Sequence, residues 1–138
     1  MEVIYKLTES HIKDLHNLYS NEWWTDSRTL TQTKNCVAGS QICIGLIKND
    51  TLIGFVRVIT DFTFKALIFD LIIKEEYRSK KLGHKLMNLV KNHDQLKNVV
   101  HFELYCLPEL KEFYNQFNFT DNIGNIELIR CNNTLQDP

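Results

Sequence analysis

Between Lys65 and Cys106 the hydrophobic period of the chain changes twice. Lys65 to Ile73 is apolar throughout its middle except for one carboxylate, Asp70. Leu82, Leu86, Leu89 and Val90 then recur at i, i+4, i+7 and i+8, and Val99 to Cys106 is again apolar. A short dense apolar run reads as a strand covered on both faces, and the helical spacing between two such runs reads as an amphipathic helix. A strand–helix–strand connection within one sheet is a right-handed crossover, so the two strands should be parallel.

The rest of the chain arranges itself around that unit. Glu2 to Leu7 alternates as a short strand. Ser10 can cap a helix with Ile12, Leu15, Leu18 and Tyr19 on one face. After the irregular Asn21 to Asp26, Asp26 or Ser27 can cap a second helix reaching about Ala38, with Gly39 ending it. Gln41 to Lys48 and Thr51 to Thr60 read as strands joined at Asn49-Asp50, and a turn at Asp61-Phe62-Thr63 leads into Lys65 to Ile73. Pro108 opens a helix carrying Leu110, Phe113, Tyr114 and Phe117, and a last strand spans about Ile126 to Cys131. The order β-α-α-β-β-β-α-β-α-β predicts one α+β (mixed α/β) domain, residues 1–138, on a mixed sheet.

Composition removes other classes. With 16 Lys and Arg against 17 Asp and Glu, the net charge of −1 argues against a general nucleic-acid binder. No apolar run reaches the ~18–20 residues of a membrane span, and the start lacks the pattern of a signal peptide. Cys36, Cys43, Cys106 and Cys131 are widely spaced, without CxxC or paired histidines, so reduced core thiols are expected and no metal site is. The expected setting is the cytoplasm.

The chemistry concentrates between Asp70 and Met87. Behind the strand ending at Ile73, Arg78, Lys80 and Lys81 fall at the first turn of a helix, with Gly83 among its first residues. Cations there oppose the helix macrodipole, so an anion is expected between them. Unpaired N–H groups, a glycine and flanking cations suit a pyrophosphate; a solvated basic loop is the plainer alternative. Asp70 must be paired or functional, because an isolated buried carboxylate is very costly. It either pairs with Arg57 on the neighbouring strand or handles an incoming ammonium and its proton. Trp23 and Trp24 read as a packing plug or a substrate platform, and Tyr114 as a core tyrosine on the Leu110 and Phe117 face.

Glu76-Tyr77-Arg78-Ser79-Lys80-Lys81-Leu82-Gly83 resembles the pyrophosphate loop of the GNAT N-acetyltransferases, Gln/Arg-x-x-Gly-x-Gly/Ala. Arg78 and Gly83 match, and Lys81 replaces the middle glycine. Phe113-Tyr114-Asn115-Gln116-Phe117-Asn118-Phe119 resembles that family's Leu-Tyr-x-x-x-Gly-Phe, with Asn118 in place of glycine. Leu107 stands where many members carry Asn. Gly54 to Asp61 and, more faintly, Trp24 to Arg28 extend the resemblance in the same order along most of the chain.

That resemblance implies a mostly antiparallel, twisted mixed sheet with helices on both faces and acetyl-CoA as co-substrate. Leu71, Ile72 and Ile73 would pair with its pantetheine arm, in a gap opened as this strand splays from Val99 to Cys106. Arg78, Ser79, Lys80, Lys81, Leu82, Gly83 and the His84 N–H would hold the pyrophosphate. A backbone N–H near Leu71 or Ile72 would meet the thioester oxygen. Tyr114 would protonate the departing thiolate, with Asp70 as the second catalytic candidate. Trp24, Arg28, Arg57 and Asp61 are the implied walls for an amine acceptor. No metal, nucleic acid or membrane is implied, and the protein would act as a monomer or homodimer. The rival reading within the same fold is a weak or inactive CoA-binding sensor.

Overall fold

A computed structural model describes residues 1–133, which fall into two compact units divided after Cys106. The first unit holds one sheet of five strands, β1 (Glu2–Ile4), β2 (Ile42–Lys48), β3 (Thr51–Thr60), β4 (Lys65–Ile73) and β5 (His101–Leu104), in that spatial order. β1 to β4 pair antiparallel, while β5 lies parallel to β4 as the crossover rule requires. Asn49 and Asp50, at φ 50° and 61°, form the tight left-handed turn between β2 and β3.

Three helices belong to this unit: α1 (Glu9–Ser20), α2 (Leu30–Ala38) and α3 (Leu82–Lys91). Leu15, Leu18 and Tyr19 of α1 form a core cluster with Cys43, Ile47, Leu52, Phe55 and Ile72 from the sheet. The alternate residues Ile44, Leu46, Val56 and Val58 are buried as well. Side chains alternate across a strand, so both faces of the sheet are covered. α3 packs over β2, β3 and β4 through an apolar stripe that buries Leu82, Leu86, Met87 and Val90. Each such side chain contributes about 1.5–3 kcal/mol.

Gly45 sits where β1 and β3 side chains crowd β2. A Cβ there would lie 2.7 Å from Leu52 Cδ1 and 3.0 Å from Ile4 Cγ1. Gly45→Ala is therefore expected to destabilise the protein by about 1–3 kcal/mol, the usual cost of overpacking, read as a lower urea midpoint. An unchanged midpoint would show that Leu52 and Ile4 yield freely.

Several boundaries differ from the sequence reading. α1 is capped by Thr8, whose side chain accepts from the His11 N–H while the His11 ring accepts from the Thr8 N–H. Ser10 lies inside the helix. α2 is capped by Thr29, reciprocally with Gln32, and not by Asp26 or Ser27. Gly39 ends α2 as expected. β5 is shorter than the Val99 to Cys106 run, because Val99 bonds back to Leu96 in the preceding turn. Cys36 is half-buried and Cys43 buried, but Cys106 and Cys131 are exposed free thiols and not core residues.

The second unit begins at Leu107. A 3-10 turn, Pro108–Leu110, runs into α4 (Lys111–Asn115). Leu110 is exposed, so the face expected to carry it is reduced to Phe113, Tyr114 and Phe117. The strand expected at Ile126 to Cys131 does not form among the described residues. Ile126, Leu128 and Ile129 are exposed there, and a short apolar run without a ladder partner gains nothing from extending as a strand. No helix of the described residues is long and apolar enough to cross a membrane.

Candidate active site

The site is built on an irregularity in β4. Arg57 faces Phe69 and Phe55 faces Ile72, so Asp70 and Leu71 together oppose Val56 in a β-bulge. Asp70 adopts φ 59°, a left-handed conformation that Asp enters more readily than most residues. On the other side of β4, pairing with β5 runs only from Lys65–His101 to Ile68–Leu104. From Phe69 to Ile73 that side of β4 has no strand partner among the described residues. The expected opening between the two strands begins where the bulge begins.

Asp70 is 5% exposed and does not lie alone. Its Oδ2 accepts from Tyr19 Oη at 2.9 Å, Arg28 Nη1 at 2.6 Å and Arg57 Nε at 2.7 Å. Its Oδ1 accepts from Arg28 Nη2 at 3.1 Å, which makes the Arg28 contact bidentate. The guanidinium of Arg28 also stacks over the Tyr19 ring at 4.5 Å, and that of Arg57 over Phe69 at 5.0 Å. Burial alone would raise the Asp70 pKa, but the bonds from Arg28 and then Arg57 outweigh it and hold the carboxyl below its ordinary value. Burial, followed by the Asp70 charge, pushes the Tyr19 hydroxyl well above the usual tyrosine range, so it stays a donor.

Of the two roles expected for Asp70, the pairing with Arg57 is present, and Arg28 and Tyr19 complete the set. Tyr19 was legible only as one of α1's apolar positions, although a tyrosine on a buried face must find a partner for its hydroxyl. The α1–α2 connection brings Arg28 into place. Buried Thr25 fixes that turn by donating to the Tyr19 carbonyl at 2.7 Å, and Arg28 N–H closes it onto the Thr25 carbonyl at 3.1 Å.

Behind β4 the chain passes through a 3-10 turn, Glu75–Tyr77, into the basic loop. Arg78 donates Nε to the Ile73 carbonyl at 3.0 Å and pairs with Glu22 of the α1–α2 connection. Ser79 and Lys81 both take left-handed conformations, at φ 65° and 60°. Lys80 lies with its ammonium 5.7 Å from the Tyr77 ring centre. α3 then starts at Leu82 with no side chain capping it, and Gly83 and His84 occupy its first turn. The first N–H groups of a helix have no intrahelical acceptor, and here they lie beside two lysines. A cleft of about 740 Å³ opens beside this start, lined by Lys81, His84, Lys85, Asn88, Tyr5 and His93.

The remaining candidates are spread out. Trp23 and Trp24 are 71% and 41% exposed, which removes the packing-plug reading. Asp61 bonds to none of the cluster. Its Oδ1 accepts from the N–H groups of Thr63, Phe64 and Lys65 at 2.8–3.1 Å, which lower its pKa and fix the β3–β4 turn. Tyr114 lies in the second unit, half-buried, with its ring 5.0 Å from Phe113 and 6.1 Å from Phe119.

Comparison with known proteins shows the family and the fold. Residues 8–119 match the family described as acetyltransferase (GNAT) family. The N-acetyltransferase ycf52 of Porphyra purpurea is 31% identical over 75% of this chain. The matched region spans 64% of that relative's length. A GNAT-family structure from Xanthomonas campestris pv. campestris aligns with TM-score 0.77 at 23% identity, covering 89% of this chain and 87% of its own. An aminoglycoside 6′-N-acetyltransferase in complex with coenzyme A aligns with TM-score 0.58 at 16% identity, over 66% of this chain and 53% of that one.

Proposed function

Because the chain belongs to the GNAT acetyltransferase family, we propose that it transfers the acetyl group of acetyl-CoA to a primary amine of a small molecule or peptide. The observation that carries this reading is the continuity of two features. β4 leaves β5 after Ile68 and leads through the 3-10 turn into a basic loop and the start of α3, where Lys81 makes no side-chain cap. The edge of β4 at Leu71, Ile72 and Ile73, which no strand covers among the described residues although Arg78 Nε takes the Ile73 carbonyl, suits the amide-bearing arm of the cofactor as a sheet edge suits an added strand. The α3 start, with Ser79, Lys80, Lys81, Leu82, Gly83 and His84, suits its pyrophosphate.

Bound there, acetyl-CoA supplies an electrophilic thioester carbonyl. The acceptor amine enters neutral, and its nitrogen forms the new C–N bond as the C–S bond breaks. A β4 N–H at Leu71 or Ile72 stabilises the charge that develops on the carbonyl oxygen. Tyr114 gives its hydroxyl proton to the departing sulfur, the amine loses its own proton to water, and solvent restores Tyr114. Asp70, already accepting four hydrogen bonds, holds the arginines in place instead of acting as the base. Arg78 ties the loop to β4 and to Glu22.

Gly83→Asp separates cofactor binding from folding. An aspartate in the first turn of α3 favours the helix by about 0.3–1 kcal/mol, so Tm should hold or rise. The same carboxylate repels the pyrophosphate, and CoA affinity by calorimetry should fall at least ~10-fold, the size of a lost charge-assisted contact. Unchanged affinity would place the cofactor elsewhere. Release of free CoA from acetyl-CoA against an amine panel tests turnover; acetyl-CoA binding without release on any amine would favour the sensor.

A further inference from the structure

The Asp70 cluster carries one more positive charge than it neutralises. Arg28 and Arg57 bring two guanidiniums to a single carboxylate, and Tyr19, the fourth member, is neutral. Among the described residues neither arginine bonds to a second acid: Arg57 Nη1 goes to the Ser40 hydroxyl at 3.3 Å. Arg57 Nη2 and Arg28 Nε remain as donors. Burying a net charge is costly, and the two ring contacts offset it only in part. An anion beside the two arginines would offset that surplus.

Exposure shows which member of the cluster solvent reaches most easily. Side-chain exposure is 5% for Asp70, 12% for Arg57 and 29% for Arg28, so Arg28 forms the accessible edge. Arg28 stands on the same connection as the exposed Trp23 and Trp24. The cluster is centred on the bulge, next to the β4 edge assigned above to the thioester.

We infer that the acceptor is an amine that also carries an oxyanion, a carboxylate or a phosphate, which Arg28 and Arg57 bind while the amine faces the thioester. This rests on the acetyl-transfer reading. Arg28 is then a specificity-determining residue: its planar fork already grips Asp70, and the remaining Nε–H and the surplus charge select the acceptor. A neutral amine of the same size leaves that charge uncompensated.

Matched acceptors test it: β-alanine against β-alaninamide for a carboxylate, and O-phosphoethanolamine against ethanolamine for a phosphate. Rates with acetyl-CoA are expressed per unprotonated amine. Binding is read separately from Trp23 and Trp24 fluorescence in the presence of CoA. In the wild type the anionic member of at least one pair should be favoured ~10-fold or more in kcat/KM and in binding, the scale of one charge-assisted hydrogen bond. Arg28→Gln should bring that pair within about threefold, and Arg28→Lys should keep part of the preference because the charge remains. Asp70 keeps Arg57 and Tyr19 in both variants, and the wild-type comparison stands without them. Equal handling of both members of each pair, or full preference surviving in Arg28→Gln, overturns the inference. If no amine is acetylated, the acetyl-transfer reading fails, and fluorescence still decides whether the arginines prefer the anion.

Discussion

Asp70→Asn should lower unfolding stability by about 3 kcal/mol, at the lower end of the range for removing one partner of a buried ion pair. The asparagine tolerates the left-handed conformation at position 70, so the change isolates the charge from backbone strain. What remains is Arg28 and Arg57 with no counter-charge, one of them 12% exposed. In a domain of this size the loss corresponds to a Tm decrease of roughly 10 °C. Its pH dependence has a definite sign. The folded Asp70 pKa lies below its unfolded value of ~3.9, so its stabilisation is complete above ~pH 4 and is lost as pH falls through the folded pKa. The stability difference between wild type and variant should therefore be constant near neutrality and shrink in acid. A constant difference down to pH 2, or none at pH 7, would mean that the two arginines do not need the carboxylate.

Tyr114→Phe should reduce kcat at least ~30-fold while leaving the fold and CoA affinity nearly unchanged, since general acid catalysis contributes 10²–10⁴-fold. The substitution removes one oxygen and keeps the ring that packs edge-on against Phe113 and Phe119. A tyrosine hydroxyl placed within hydrogen-bond distance of the departing sulfur can act as the general acid. Turnover within threefold of wild type on a true acceptor would leave water as the acid and Tyr114 as a packing residue.

What could be read from the sequence divides along physical lines. β3, β4 and the α3 stripe were legible because each follows one period over eight residues or more, and a parallel β5 followed from crossover handedness. The helix starts were not, for a local reason. Thr8 closes its capping box with His11, where Glu or Gln is the usual sign, and Ser10 two residues later is an equally good cap by composition. The Thr29–Gln32 box does carry the usual sign but lay behind two other eligible caps, Asp26 and Ser27. Ile126 to Cys131 failed for a different reason, since a short run of apolar residues cannot say whether a partner edge exists. At the site, Asp70 was conspicuous as the one charge within an apolar run, and Arg57 followed from strand adjacency. Arg28 and Tyr19 reach Asp70 across 42 and 51 residues of chain. The bulge that turns Asp70 toward them is a fact of strand register that no residue pattern announces.

Lys81 shows what the loop demands of evolution. It adopts φ 60° immediately before α3, a conformation glycine enters freely and a lysine enters at about 1–2 kcal/mol. Ser79 does the same two residues earlier. The requirement at position 81 is thus a dihedral angle and not an amino acid, and a side chain that contributes charge can occupy it at modest cost. A search pattern spelled in letters, demanding glycine there, would pass over chains like this one. A pattern written in backbone angles would find them.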